Sequence, residues 1–307
     1  MTTWTASDIP DQTGRTAIVT GANSGLGLVT ATELARHGAQ VILAIRKPAS
    51  GGAAADGISA EVRGAKLEVR TLDVASLASV RTFASRIAAE YDGIDLLINN
   101  AGAENLAGRQ STVDGFEFHL GTNMLGHFAL TGLLLDTIAR GAEPRIVSLS
   151  SITHKRAHLD FDDLQWEKGF NANRAYGASK LATTAFGIEL NRRLRKAGSP
   201  IISTIAHPGL SRSNFIDSAW KDRGAVAQLM GRMFSAIATQ PTEQGALNQL
   251  HAATAPGVQG GDFFGPGGTG ERKGEVTRVA ASKEAQDPAI GRRLWSAAEA
   301  LTGITYL

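Results

Sequence analysis

The residues best suited to chemistry in this sequence are a tyrosine and a lysine four positions apart. Tyr176 and Lys180 lie in a stretch with helical spacing, so they share one face of a helix, one turn apart. A free phenol has a pKa of about 10 and exchanges protons poorly at neutral pH. An ammonium group about 4 Å away favours the phenolate and lowers the phenol pKa. We therefore predict that Tyr176 acts as an acid or base with Lys180 as its activator.

Three further polar side chains are candidates for the same centre. Ser150 and Ser151 follow an apolar run, and a hydroxyl there can hold a substrate oxygen while charge develops on it. Asn123 lies in a glycine-interrupted helical segment, where it could anchor a water that relays protons from Lys180. Each of these residues taken singly could be a structural cap or an ordinary helix residue. Their occurrence together on a nucleotide-binding scaffold favours catalysis.

The elements that must position these residues alternate between short apolar runs and helical segments. The predicted strands are Thr16–Thr20, Val41–Ile45, Leu67–Leu72, Ile94–Ile98, Arg145–Leu149 and Ile201–Ala206. A first helix is predicted from Ser24 to His37-Gly38, and Ser76 is predicted to cap a helix over Leu77–Tyr91. Such alternation predicts a single-domain α/β Rossmann fold over residues 1–307. Its doubly wound parallel sheet would have about seven strands, helices on both faces, and ligands beyond the carboxyl ends of the strands.

Two stretches depart from this alternation. Ile152 to Ala175 is a long polar connection after the fifth strand, and a second excursion at about 210–240 follows the sixth. We predict that the second is a substrate lid, with an ordinary surface helical pair as the alternative. Its apolar side chains are Leu210, Phe215, Trp220, Leu229 and Phe234. They favour a fairly apolar substrate.

Composition and charge exclude several classes of function. The 307 residues are 43% hydrophobic with a net charge of +2 and no large basic block, so we expect no nucleic-acid partner. The chain has no cysteine, and its histidines lack a matching carboxylate spacing, so we expect no metal. Met1 to Pro10 is polar, and no apolar run approaches the roughly 18 residues that span a bilayer. We therefore expect a cytoplasmic protein without a membrane partner.

A glycine-rich turn, Thr20-Gly21-Ala22-Asn23-Ser24-Gly25-Leu26-Gly27, follows the first predicted strand and opens a helix. Gly21 suits the tight turn, Gly25 the close approach of a pyrophosphate, and Gly27 the packing of the helix on the sheet. The N–H groups of a helix N-terminus bind phosphate oxygens. The predicted dinucleotide contacts in this turn are Gly21, Asn23, Ser24, Gly25, Leu26 and Gly27.

The end of the second strand indicates which dinucleotide is bound. NAD sites usually carry an acidic residue there for the ribose 2′-hydroxyl, but this chain has Ile45 followed by Arg46. A guanidinium group can pair with a 2′-phosphate through two hydrogen bonds. NADP(H) is therefore favoured over NAD(H), the alternative being that Arg46 is simply a solvent-exposed side chain.

The loops after the third and fourth strands supply further candidate contacts to the cofactor. In Asp73-Val74, the carboxylate could accept a hydrogen bond from the adenine amino group. In Asn99-Asn100-Ala101-Gly102, small and amide-bearing residues lie where a nicotinamide ribose would be. Either pair of residues could instead be a loop or helix cap.

Taken in order, these motifs resemble those of the short-chain dehydrogenase/reductase family. The matching segments are Thr20-Gly21-x-x-x-Gly25-x-Gly27, Asn99-Asn100-Ala101-Gly102, Asn123, Ser151, Tyr176-x-x-x-Lys180 and Pro208-Gly209. The resemblance implies that Tyr176 is the acid/base and that Lys180 binds the nicotinamide ribose and lowers the tyrosine pKa. It also implies that Ser151 orients the substrate, in preference to Ser150, and that Asn123 supports a proton relay. Tyr176, Lys180, Pro208 and Gly209 are thereby counted among the cofactor contacts.

A narrower resemblance points to the retinol dehydrogenase-like branch of that family. The segments that carry it are Ala44-Ile45-Arg46, Phe161 to Glu167, Ser179-Lys180-Leu181-Ala182 and Phe263-Phe264-Gly265-Pro266. The long interval between Ser151 and Tyr176 and the NADP preference also fit this branch. A retinoid substrate is not carried over, because we expect this chain to have no membrane anchor of the kind that many animal members carry at the N-terminus.

The expected reaction is the interconversion of a carbonyl compound and an alcohol by hydride transfer, with a small and fairly apolar molecule as substrate. A nucleotide-sugar epimerase shares the Tyr-x-x-x-Lys pair, but the spacing of Gly21, Gly25 and Gly27 argues against it. A non-catalytic NADP-sensing protein would be expected to lose Tyr176 or Lys180, and both are present. Family members often dimerise through the helix that bears this pair, which leaves a homo-oligomer open.

Overall fold

The centre of the computed structural model, which describes residues 3–104, 108–211 and 239–307, is a twisted sheet of eight strands. In chain order they are β1 Thr16–Thr20, β2 Gln40–Ile45, β3 Lys66–Thr71, β4 Leu96–Asn99, β5 Arg145–Leu149, β6 Ile202–Ala206, β7 Phe263–Pro266 and β8 Val276–Arg278. Their order across the sheet is β3-β2-β1-β4-β5-β6-β7-β8, and only β8 runs antiparallel to its neighbour. The predicted doubly wound parallel fold is confirmed, with eight strands against the seven or so expected.

Helices connect these strands on both faces of the sheet. They are α1 Gly25–Arg36, α2 Pro48–Glu61, α3 Leu77–Glu90, α4 Phe118–Leu120, α5 Gly126–Ala139, α6 Ala172–Lys196, α7 Thr242–Thr254, α8 Lys283–Gln286 and α9 Pro288–Thr302. Short 3₁₀ turns lie at Ala6–Asp8, Ile152–Arg156 and Thr269–Glu271. The predicted cap of α3 is confirmed, since the Ser76 hydroxyl accepts a hydrogen bond from Ser79 N at 3.3 Å.

Two apolar cores lie on opposite faces of the sheet, as the alternation of side chains along each strand requires. On β1, Ile18 packs into the core covered by α3, α5, α6 and α9, while Val19 packs into the core covered by α1, α2 and α7. Strands buried on both faces are largely apolar, as in β2 and β4, whereas β3 at the edge of the sheet alternates polar and apolar residues. Trp295 of α9 is the largest fully buried side chain among the described residues, so the C-terminal helix is part of the first core.

The second departure from the alternation falls largely outside the described residues. Of the predicted lid at about 210–240, residues 212–238 lie outside the described residues. That range includes Phe215, Trp220, Leu229 and Phe234. Among the described residues on either side of this range, Ser211 and Gln240 form an isolated β-bridge. In the part of the chain that the structure describes, no helix has the length and apolarity needed to cross a membrane.

Candidate active site

The strand order reverses next to β1, and the loops that carry the predicted motifs meet at that point. Parallel sheets bind ligands in the crevice where neighbouring strands connect in opposite directions, here between β1 and β4. Thr20 at the end of β1 holds the two loops together: its hydroxyl accepts hydrogen bonds from Asn100 N at 3.0 Å and from Ala101 N at 2.8 Å. The side-chain amide of Asn100 donates in return to Thr20 O at 2.7 Å. Asn100 therefore braces the crevice.

The glycine-rich turn has the shape that a phosphate-binding turn needs. Gly27 is packed so closely that a Cβ there would lie 2.5 Å from Gly21 O, which explains why the helix requires a glycine at this position. Gly25 has a φ of +55°, and the space beside its Cα is open. Within the described residues, the Ser24 side chain makes no capping hydrogen bond, and the first turn of α1 has no acidic residue. This turn, with Asn23 exposed and Leu26 half-buried beside it, fits a pyrophosphate.

The residues predicted to contact the adenosine half of the cofactor lie at the same edge of the sheet. Arg46 is exposed directly after β2, whereas Ile45 is buried. Asp73 shapes its own loop, because its Oδ1 accepts a hydrogen bond from Ala75 N at 3.0 Å. Val74 is buried and packs against the start of α5.

Tyr176, Ser151 and Lys180 are brought together by α6 and by the loop after β5. The Ser151 hydroxyl interacts with the Tyr176 phenol in the direction that lowers its pKa, and it accepts a hydrogen bond from Thr153 N at 3.3 Å. Lys180 Nζ lies 5.9 Å from the centre of the Tyr176 ring and donates to Leu149 O at 3.0 Å. A serine hydroxyl, a phenol and an ammonium group thus share one edge of the sheet.

Burial is the main influence on the pKa values of Tyr176 and Lys180. It raises the pKa of Tyr176 above its ordinary value; the carboxylate of Glu104 adds to the rise, and the hydrogen bond from Ser151 opposes it. Burial also lowers the pKa of Lys180 to about 8, with Glu104 acting in the opposite direction. The net shift is dominated by burial, and the prediction that Lys180 lowers the tyrosine pKa stays a prediction.

Ser150 is turned away from the tyrosine. Its hydroxyl is 2.6 Å from the Thr184 hydroxyl and donates to Lys180 O at 3.2 Å, and the residue is almost fully buried under α6. The structure therefore brings Ser151, and not Ser150, to Tyr176.

Asn123 lies on a π-helical turn, Gly121–Leu125, between α4 and α5. Its side-chain amide clamps the loop after β4: Oδ1 accepts from Ala103 N at 2.8 Å, while Nδ2 donates to Ala103 O at 3.1 Å and to Ser179 Oγ at 2.9 Å. The wider turn also leaves Asn123 O to accept a hydrogen bond from Thr183 Oγ1 at 3.2 Å. π-turns inside helices occur frequently at functional sites.

Two further predicted segments border this centre. Gly102 lies beside the reactive side chains, since a Cβ at that position would be 3.4 Å from Lys180 Nζ. Pro208 and Gly209 follow β6, where Pro208 O accepts a hydrogen bond from Gln240 Nε2 at 2.8 Å and Gly209 N donates to His207 Nδ1 at 3.2 Å.

Sequence reasoning missed three charged or titratable residues near Tyr176. The His119 ring lies edge-on to the Tyr176 ring, with centroids 6.0 Å apart, and its Nδ1 is 2.8 Å from Glu117 Oε1. Glu104 interacts electrostatically with Tyr176, Lys180 and His119. Glu104 could have been noticed as an acidic residue two positions after the amide-rich loop. No local pattern marks Glu117 or His119, because only the packing of α4 against α6 brings them to the tyrosine.

Comparisons with known proteins agree with this geometry. A family profile described as short chain dehydrogenase matches residues 15–224. Retinol dehydrogenase 13 of Homo sapiens is 39% identical over 303 residues, covering 95% of this chain and 85% of that protein. Retinol dehydrogenase 12 of Mus musculus is 37% identical over 295 residues, covering 95% of this chain and 88% of that protein. The crystal structure of an uncharacterised protein from Mycobacterium paratuberculosis aligns over 100% of both chains at 39% identity, with a TM-score of 0.82.

The fold and the arrangement at its crevice define a dinucleotide-dependent oxidoreductase. More narrowly, the chain belongs to the short-chain dehydrogenase family, and within that family it is similar to the retinol dehydrogenases.

Proposed function

We propose that this protein is an NADP(H)-dependent oxidoreductase that interconverts a ketone or aldehyde and the corresponding alcohol. The observation that carries the proposal is the placement of Tyr176 beside the buried Lys180, whose Nζ lies 5.9 Å from the tyrosine ring, with Ser151 at the same edge of the sheet. This group lies at the same edge of the sheet as the glycine-rich turn. A cytoplasmic location, and the lack of nucleic-acid and membrane partners, stay predictions.

The cofactor would lie along the carboxyl edge of the sheet. The turn around Gly25 would hold its pyrophosphate, and Arg46 would pair with the 2′-phosphate that distinguishes NADP from NAD. Asp73 and Gly102 would border the adenine and nicotinamide ends. When bound, the nicotinamide supplies or accepts the hydride.

The side chains of this protein would handle the proton. In carbonyl reduction the Tyr176 phenol donates its proton to the substrate oxygen, and in alcohol oxidation the phenolate removes it. The raised pKa of Tyr176 keeps the phenol protonated at neutral pH, which suits a proton donor. Ser151 donates a hydrogen bond to the same oxygen while charge develops on it, and the Lys180 ammonium group stabilises the phenolate that remains.

Asn123 would contribute by holding the site together. Its amide ties Ala103 of the loop after β4 to Ser179, the residue next to Lys180 on α6. A shift of this clamp would move the loop relative to the reactive pair. The water relay that the sequence suggests at Asn123 stays a prediction.

The overall proposal is tested by a panel of ketones and aldehydes assayed with NADPH and NADH separately. The panel should include retinol with NADP⁺, because the relatives at 36–39% identity are named retinol dehydrogenases. We expect turnover of at least one carbonyl compound, with NADPH preferred. The absence of turnover with both nucleotides would contradict the proposal.

Replacing Arg46 with alanine is expected to raise the KM for NADPH about tenfold and to leave the KM for NADH unchanged, because only NADP has a phosphate for the guanidinium group to bind. Steady-state kinetics with both nucleotides measures this difference. Lys47→Ala is the matched control, since it removes the neighbouring exposed cation. Equal loss with NADPH and NADH would show that Arg46 does not read the 2′-phosphate.

Replacing Ser151 with alanine is expected to lower kcat about 10²-fold, the cost of removing one donor to a developing oxyanion. Ser150→Ala is the matched control: its hydroxyl bonds to Thr184 and to the main chain of α6, so kcat should change little. The two variants are compared by their kcat for one carbonyl substrate at saturating NADPH. A larger loss in Ser150→Ala than in Ser151→Ala would reverse the assignment.

A further inference from the structure

A second cleft lies at the amino edge of the sheet, where the strands begin, opposite the edge that carries Tyr176. Its volume is about 610 Å³, and its walls include the segments that lead into β1, β5 and β6. Four prolines line it, and proline has no N–H group to offer a ligand. The charged side chains in its lining are Asp11, Arg15, Glu143 and Arg145. The reaction described above makes no use of this amino-edge cleft.

Arg145 is a buried cation in this cleft. It is the first residue of β5, and only 8% of its surface is exposed. Its Nη1 donates to Ala255 O at 3.0 Å, and this neutral carbonyl is the one hydrogen-bond acceptor that its side chain has among the described residues. Burial, followed by the positive charge of Arg15, lowers the pKa of Arg145, and Glu143 only partly opposes them. A buried guanidinium charge without a counter-charge is unfavourable.

Arg15 brings a second guanidinium group to the same cleft from the residue before β1. Its Nη1 donates to Gln12 Oε1 at 3.0 Å, and its Nη2 donates to Glu143 O at 3.1 Å, two residues before Arg145. Its Nε is buried and has no hydrogen-bond partner among the described residues. These acceptors are neutral, so they satisfy N–H groups without balancing the positive charge.

The carboxylates close to the cleft have other partners. Asp95 accepts two main-chain hydrogen bonds, at 2.7 and 2.5 Å, and Asp11 accepts one at 2.9 Å. Glu143 is exposed, and it bonds to Arg15 through its main-chain oxygen. Over the residues that the structure describes, neither Arg15 nor Arg145 therefore forms an ion pair.

We propose that the amino-edge cleft binds a small oxyanion, the carboxylate or phosphate group of a ligand, between Arg15 and Arg145. An oxyanion supplies the negative charge that the two guanidinium groups lack. Guanidinium groups bind carboxylate and phosphate through charge-assisted hydrogen bonds, often two at a time. The site lies at the opposite edge of the sheet from the glycine-rich turn and Arg46, so it is distinct from the proposed cofactor site. It does not depend on the proposed function.

The test is calorimetric titration with inorganic phosphate and with acetate, each carried out with and without saturating NADP⁺. Sodium chloride at equal ionic strength gives the background. We expect binding that persists when NADP⁺ is present, and that weakens at least about tenfold in Arg145→Gln and in Arg15→Gln, because each variant loses charge-assisted hydrogen bonds. Arg63→Gln, which removes an exposed arginine elsewhere, is the matched control and should bind like the wild type. Tighter binding of phosphate identifies a phosphate ligand, and tighter binding of acetate identifies a carboxylate.

Two results of the titration would overturn the proposal. One is the absence of binding by both anions. The other is binding that NADP⁺ abolishes, because that would place the anion at the opposite edge of the sheet.

Thermal unfolding provides a second readout and shows whether each variant folds. A ligand that binds the folded state raises the Tm, so phosphate should stabilise the wild type more than Arg145→Gln or Arg15→Gln. Phosphate also stabilises proteins in general by exclusion from their surface, and Arg63→Gln measures that contribution. A purely structural role of the arginines predicts a lower Tm of both glutamine variants at every phosphate concentration, with the same phosphate effect as in the wild type. That outcome would contradict the proposal. Arg145→Lys, which keeps the charge but loses the planar fork, replaces Arg145→Gln if the latter does not fold, and it should also bind more weakly than the wild type.

Discussion

Replacing Tyr176 with phenylalanine is expected to lower turnover in both directions about 10³- to 10⁴-fold, the contribution of a positioned acid or base at the upper end of its usual range. The substitution removes the proton that reaches the substrate oxygen and keeps the aromatic ring that packs against His119. Cofactor binding and folding should therefore change little. Single-turnover kinetics of carbonyl reduction, together with NADPH affinity measured by fluorescence, separates loss of chemistry from loss of binding.

Tyr91→Phe is the matched control for this substitution. Its hydroxyl bonds to Glu68 and Gln40 at the far end of α3, away from the crevice, and burial raises its pKa to about 12. Turnover should stay within about twofold of wild type, because this hydroxyl bonds to Glu68 and Gln40 rather than to the residues of the crevice. A wild-type rate in Tyr176→Phe would eliminate the proposed role of the tyrosine.

Replacing Lys180 with methionine is expected to lower kcat/KM about 10³-fold, because the buried ammonium group is lost from beside the phenol and from the expected nicotinamide ribose site. Methionine retains the apolar length of the side chain, and the main loss is the charge and the hydrogen bond to Leu149 O. Lys196→Met, at the exposed C-terminus of the same helix, is the control that should retain activity.

The lowered pKa of Lys180 gives this substitution a distinctive dependence on pH. The side chain is charged below its pKa of about 8 and neutral above it, so NADPH binding to the wild-type protein should weaken as the pH rises through 8. The affinity of Lys180→Met should be weaker at pH 7 and nearly flat across this range. Fluorescence titrations from pH 7 to 9.5 measure both curves, and an equal slope in the two proteins would contradict the assignment.

The fold could be predicted largely from local pattern. Six of the eight strands could be located in the sequence between helical segments: the central ones, such as β2 and β4, are largely apolar because both faces are buried, and β3 alternates because it lies at the edge of the sheet. β7 and β8 have four and three residues, and β8 is partly exposed, so neither produces a long apolar run. They become strands only because β6 offers a free edge to β7, which in turn pairs with β8.

The sequence predicts those residues of the candidate site that belong to recognisable motifs. Ser151, Tyr176 and Lys180 meet as expected, because the carboxyl ends of parallel strands share one edge. Two features could not be anticipated from spacing. The effect of burial on the Tyr176 pKa depends on how much water is excluded, and the proximity of His119 depends on the packing of α4 against α6.

Because Gly121–Leu125 forms a π-turn, the direction of the Asn123 amide depends on the number of residues in this segment more than on which residues they are. An α-helix advances about 100° per residue, so deleting one residue here would rotate everything before the deletion by about that angle relative to α5. The amide of Asn123 would then point away from Ala103 and Ser179, although every side chain of the motif would still be present. A relative with an identical motif but one residue fewer in this turn would have lost the clamp, and alignment by residue identity alone would not reveal it.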